Sequence, residues 1–129
     1  MNASLAMQRL MMAALAEVEG VTGVYDAPPV DAVAPYLTLG PDLMRDWSTK
    51  TEVGHEHLVQ VRVWDEGAGV ARLKPLMGAV EAVLAALEGA RDGHVLVSCR
   101  LVRALVRAEA GGWSEGLVEF RLRSRVVGG

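Results

Sequence analysis

Apolar and polar residues alternate most cleanly from His57 to Trp64. His57, Val59, Val61 and Val63 fall on one side there, and Leu58, Gln60, Arg62 and Trp64 on the other. A period of two predicts a strand with one buried face. Upstream, Tyr36 and Thr38 oppose Leu37 and Leu39. Pro41 and Asp42 then predict a bend or bulge, after which Leu43 to Trp47 resumes an extended path. A polar excursion from Asp46 to Gly54 joins these two strands, with Gly54 as its hinge candidate. Near the C-terminus Val118, Phe120 and Leu122 oppose Glu119, Arg121 and Arg123. The strand before it puts Val95, Val97, Cys99 and Leu101 on one side. The later set of Val102, Ala104 and Val106 then requires a bulge near Val102 or Arg103.

Two segments carry helical spacing instead. Met7, Met11, Ala14, Leu15 and Val18 mark a first helix, with Asn2 or Ser4 as N-cap and Gly20 and Gly23 ending it. Leu73, Leu76, Met77, Val80, Leu84 and Leu87 mark a second, in which Pro75 is tolerated only near the first turn. Gly78 either weakens this helix or lets it approach the sheet closely, and Gly89 to Gly93 closes it. Val24 and Tyr25 can form a short edge strand before Pro28 and Pro29 stop the pairing. The order predicts an α/β fold of the α+β type, a mainly antiparallel sheet of about four main strands with two helices packed on one face. A single domain spanning 1–129 accommodates it.

Composition sharpens that picture. Hydrophobic residues make up 51% of the chain but aromatic ones only 5%, so the core is aliphatic. Cys99 is the only cysteine, which excludes an intramolecular disulfide and reads as a small buried residue. Charged residues interrupt every apolar run before the roughly 20 residues that a membrane span needs. The short apolar start lacks a preceding positive charge and does not read as a signal peptide. From Arg100 onward six arginines face three glutamates, whereas residues 1–99 carry seven Lys or Arg against thirteen Asp or Glu. A basic end on an acidic body fits either nucleic acid or copies meeting head to tail. The outer sheet face is expected to be basic, with Arg62, Arg100, Arg121, Arg123 and Arg125 among Gln60, Ser98 and Glu119.

Candidate chemistry is sparse. Glu52, His55, His57 and Asp65 form the only grouping that resembles metal ligands, and it lacks third and fourth ligands at diagnostic spacing. Ser48, Ser98 and Cys99 sit in no nucleophile context, and no glycine-rich phosphate cradle occurs. The sequence therefore predicts no catalytic residue, metal or cofactor. The Asp46 to Glu52 excursion (Asp46, Trp47, Ser48, Thr49, Lys50, Thr51, Glu52) reads as a contact element for a subunit or partner, with Trp47 as anchor.

The segments VYDAPP, PYLTLG, DWSTKT and GHEHLVQVRVW, followed by a glycine turn and a helix, together resemble the tail-completion, or tail-terminator, family of long-tailed phages. That family also occurs in defective prophages and gene transfer agents. The resemblance implies a non-enzymatic ring, commonly of six subunits, at the head-proximal end of the tail. Its implied partners are other copies of the chain, the tail-tube protein and the head-tail connector, with DNA passing through the lumen and no membrane. It implies a virion location at the head-tail interface, after assembly in the bacterial cytoplasm. The Gly-rich tip from Ala110 to Ser114 and the arginine-dense last strand depart from that pattern. A head-side connector protein is the runner-up, and a nucleic-acid-binding module using the arginine-rich face is the more distant alternative.

Overall fold

The computed structural model describes residues 2–67, 70–108 and 110–127. In chain order its elements are α1 (Ala3–Leu15), β1 (Val24–Tyr25), β2 (Tyr36–Asp46), β3 (Gly54–Glu66), α2 (Leu73–Ala85), β4 (Ala90–Arg91), β5 (His94–Ala108), a 3-10 turn (Ala110–Gly112) and β6 (Trp113–Val126). The strands form one six-stranded sheet in the order β1-β2-β3-β6-β5-β4. All pairings are antiparallel except the parallel β1–β2 contact. The four long strands match the expected sheet, and the extra two are two-residue pieces at its margins. β4 was not foreseen. It turns back onto β5 through Asp92 and Gly93, whose φ values of 53° and 81° are the consecutive left-handed pair of a tight hairpin turn.

Alternation along β3 and β6 gives the sheet its two unlike sides. Val59, Val61 and Val63 join Val118, Phe120 and Leu122 on the helix side, with Leu37 and Leu39 from β2. Met7, Leu10, Met11 and Leu15 of α1 and Leu73, Leu76, Met77, Val80 and Leu84 of α2 complete the same apolar cluster. Asn2 caps α1 by accepting from the Leu5 N–H at 2.8 Å. The helix ends at Leu15, well before Gly20, because the N–H groups of Glu17 and Val18 fold back onto the carbonyls of Ala14 and Leu15. Val18 is buried all the same. Pro75 lies in the first turn of α2, where no intrahelical donor is lost.

Three details differ from the sequence expectation. Gly78 faces open space, so it provides no close approach to the sheet. That role belongs to Gly116 on β6, where a Cβ would sit 2.5 Å from Met77 Sδ. In β5 the register shifts twice, between Leu96 and Ser98 as well as between Leu101 and Arg103. The first shift places Val95 opposite Arg125 and turns Leu96, rather than Val97, toward the core with Cys99.

Lengths matter for what stays uncovered. The 15 residues of β5 extend about 50 Å, whereas a 13-residue helix reaches only about 20 Å. The helices therefore shield part of their side of the sheet, and Leu101 and Met44 remain 48% and 40% exposed.

Candidate assembly surface

The sheet face turned away from the helices carries the arginines expected there, but carboxylates are interleaved with them. Arg45 Nε donates to Glu56 Oε1 at 2.7 Å, and Arg123 Nε donates to Glu56 Oε2 at 2.9 Å. The hydrogen bonds from Arg123 and then Arg45 hold the Glu56 carboxyl below the usual carboxylate range. Glu119 accepts from Gln60 Nε2 at 3.2 Å and from Arg103 Nε at 3.1 Å. Glu115 accepts from Arg107 at 3.1 Å, while Arg62 Nε stands 3.5 Å from its other oxygen. That last pair is close enough for charge attraction but makes no hydrogen bond, which leaves both atoms buried and unsatisfied. Each carboxylate thus draws on groups from two other strands or strand positions. Pairs of this kind contribute about 0.2–1 kcal/mol each.

The remaining arginines are differently placed. Arg100 lies directly opposite Arg121, and neither has a carboxylate partner among the described residues; nor does Arg125. All five arginines of the expected basic face do share one side of the sheet. Sequence reasoning missed Glu56 and Arg45 as members of that side. Their pairing depends on the β2–β3 register beyond the bulge.

The Asp46 to Glu52 excursion forms an ordered hairpin end. Asp46 closes β2 opposite His55, and Trp47 N–H donates to the Gly54 carbonyl at 2.8 Å. Ser48 Oγ donates to Asp46 Oδ1 at 2.6 Å and accepts from Gly54 N–H at 3.1 Å. Glu52 N–H reaches Thr49 Oγ1 at 3.1 Å. Lys50 and Thr51 are exposed at the tip. The Trp47 ring lies against the polar face with Arg123 Cζ 5.1 Å from its centroid, yet it stays 37% exposed. Gly54 is no hinge. It is the first residue of β3, and a Cβ there would come 2.7 Å from the Trp47 carbonyl. A cleft of about 180 Å³ opens beside this end, bordered by Trp47, Val53, Val97 and Arg125.

The structure does not bring Glu52, His55, His57 and Asp65 together. Asp65 lies at the far end of β3 and is tied to Arg72, whose hydrogen bonds lower its pKa. His55 instead neighbours His57 and His94, with ring centroids 6.4 Å apart in each case. Among the described residues no group of three or more His, Cys, Asp or Glu side chains is placed to hold a metal. His57 is buried with Nε2 hydrogen-bonded to Ser124 Oγ at 2.8 Å, and burial pushes its pKa down to about 4. Burial raises the Cys99 thiol to about 11, which keeps it protonated and unreactive at neutral pH.

A larger cleft of about 450 Å³ lies at the opposite margin, where the β2 bulge parts from the end of β1. Asp26, Pro28, Gly40, Asp42, Arg62 and Trp64 border it.

The surface thus presents a partly ion-paired sheet face, an ordered hairpin end and strand margins with exposed apolar side chains. The chain belongs to the tail completion protein gp17 family, whose model matches residues 6–125. It is accordingly a structural protein of a phage-type virion tail. It is similar to a chain in the structure of the virion of a native gene transfer agent particle, with a TM-score of 0.76 and 28% identity. The likeness covers 95% of this chain and 94% of that one. No curated protein matches it.

Proposed function

We propose that this chain is a tail terminator, acting as a single non-enzymatic domain without a cofactor. Copies form a ring, commonly of six, at the head-proximal end of the tail tube, stop tube growth and join the tail to the head. The family match across residues 6–125 carries this reading. The physical logic is that a tube grows because each added ring presents the same surface again. A ring with one tube-compatible side and a different opposite side ends the growth and offers the head-tail connector a new partner.

The Asp46 to Glu52 hairpin end is the contact element in this scheme. Trp47 keeps an exposed aromatic edge at a rigidly bonded turn, which is the kind of anchor that dominates interface energies. The arginine face serves assembly in preference to DNA. Glu56, Glu115 and Glu119 engage Arg45, Arg62, Arg103, Arg107 and Arg123, while Arg100, Arg121 and Arg125 remain for carboxylates of a neighbouring subunit, which supports contacts within and between subunits. A backbone-tracking DNA surface would keep those groups available for phosphate.

Deletion of the gene tests the role. Particles then carry tails of irregular length that fail to join heads, seen by negative-stain electron microscopy. Normal-length tails attached to heads would exclude a terminator. A salt-dependent gel shift of linear DNA by the purified protein, with no ring on the tails, would favour the nucleic-acid reading instead.

A further inference from the structure

Both long outer strands leave an edge unpaired. β1 meets β2 only at Leu37 and Thr38, so residues 40–46 have β3 on one side and no strand on the other among the described residues. β4 covers β5 only at His94 and Val95, and a bond from the Leu96 N–H to the Gly89 carbonyl at 2.9 Å ends that cover. Beyond it the margin from Val97 to Arg107 is open in the same sense. Open edges invite pairing with another chain, and proteins that stay single blunt them with prolines, inward charges or covering loops. Pro41 and several charged residues sit on these margins, but both also expose apolar side chains. Leu43 and Met44 are 59% and 40% exposed on one, and Val97, Leu101, Val102 and Leu105 are 43–48% exposed on the other.

We propose that copies of this chain join edge to edge, the β5 margin of one adding to the β2 margin of the next, so that the sheets run on from copy to copy. This rests on the ring reading above and supplies its subunit contact. Strand direction favours it. β2, β3, β6 and β5 alternate in direction, and because they are even in number, rotation about an axis along the strands sets β5 antiparallel to the next β2. Charge selects against the simplest rival, a two-fold β5–β5 contact. The open β5 stretch carries Arg100, which has no carboxylate partner among the described residues, beside Arg103 and Arg107, which Glu119 and Glu115 engage, and it holds no acid of its own, so two such margins set Arg100 against like charge. The open β2 stretch carries Asp42 and Asp46 against Arg45 and attracts it. The faces also agree. Leu43 and Leu105 lie on the polar side, Met44 and Leu101 on the helix side, so apolar residues meet on both sides of a continuous sheet. A head-to-tail contact of this type is heterologous, and it closes into a ring when the rotation fits.

Disulfide trapping on isolated tails tests this. In a Cys99→Ser background, Leu43→Cys is combined in turn with Arg100→Cys, Arg103→Cys or Leu105→Cys, all at exposed positions. After mild oxidation, at least one pair should give a ladder of multimers on a non-reducing gel, while Leu43→Cys alone and Leu105→Cys alone stay monomeric. A strong dimer from Leu105→Cys alone would show two-fold β5 pairing and overturn the proposal. No ladder from any pair, with rings of the protein still visible on the tails, would overturn the edge contact and leave the terminator reading standing. Wild-type tails bearing the protein in any form other than a ring would overturn both.

Discussion

Acidification should loosen this fold through His57 before Glu56 and Asp65 contribute. The imidazole is buried against Ser124, and its pKa falls from 6.5 to about 4, chiefly by desolvation. Neighbouring His55 and His94 push it the same way, while Asp42 and Glu56 pull it back only in part. A depressed histidine means that the unfolded chain binds a proton the folded one refuses. Stability is therefore full above the unfolded pKa and is lost progressively as pH falls toward the folded value. Between about pH 7 and about pH 5 the loss amounts to about 2 kcal/mol. Glu56 and Asp65 are held below the usual carboxylate range, so their contributions are lost only at lower pH. Urea unfolding at the two pH values measures the loss, which should appear as a lower midpoint with an unchanged slope. His57→Gln keeps an amide able to meet Ser124 and removes the titration, so its pH loss should shrink by about 2 kcal/mol. An equal loss in wild type and variant would refute the assignment to His57.

Gly116→Ala pushes a methyl group into Met77 and should cost about 1–3 kcal/mol in urea unfolding, with the cost largely relieved in a Met77→Ala background. Glu115→Ala removes a carboxylate shared by Arg62 and Arg107. It should cost about 2 kcal/mol, less than a fully buried pair because both guanidinium groups reach water. Trp47→Ala removes the contact with Arg123 and should lower stability by only about 1 kcal/mol, leaving the circular dichroism spectrum unchanged. In particles, however, it should sharply reduce the fraction of tails joined to heads, counted by electron microscopy.

How much of this was legible in the sequence depended on whether a feature is local. The faces of β3 and β6 followed directly from alternation, because each side chain's side is fixed by its own position in the strand. The β2 bulge was visible because Pro41 cannot sit in an unbroken ladder. The bulge at Val97 was hidden because Val95, Val97 and Cys99 alternate perfectly on paper, and only pairing with Arg123 and Ser124 reveals the extra residue. β4 has two residues and no pattern to read. Gly78 and Gly116 look equivalent as helix and strand glycines, and only the packing of Met77 tells them apart. The arginines' common side was read correctly but their partial pairing was not, since Glu56 meets Arg45 and Arg123 across two separate registers. The hairpin residues were located correctly as a polar excursion. Their bonding to Gly54, which turns a loop into a firm tip, required coordinates.

The pattern of bulges also has a mechanical meaning. The β3–β6 ladder runs without a register shift from Gly54 opposite Arg125 to Glu66 opposite Trp113, whereas β2 and β5 are each interrupted. A plate built this way is regular along its midline and extra-twisted and bent at both margins, because each bulge adds local twist and bend. The margins that meet neighbours are therefore the curved parts of the sheet, while the apolar layer lies on its most regular pair of strands.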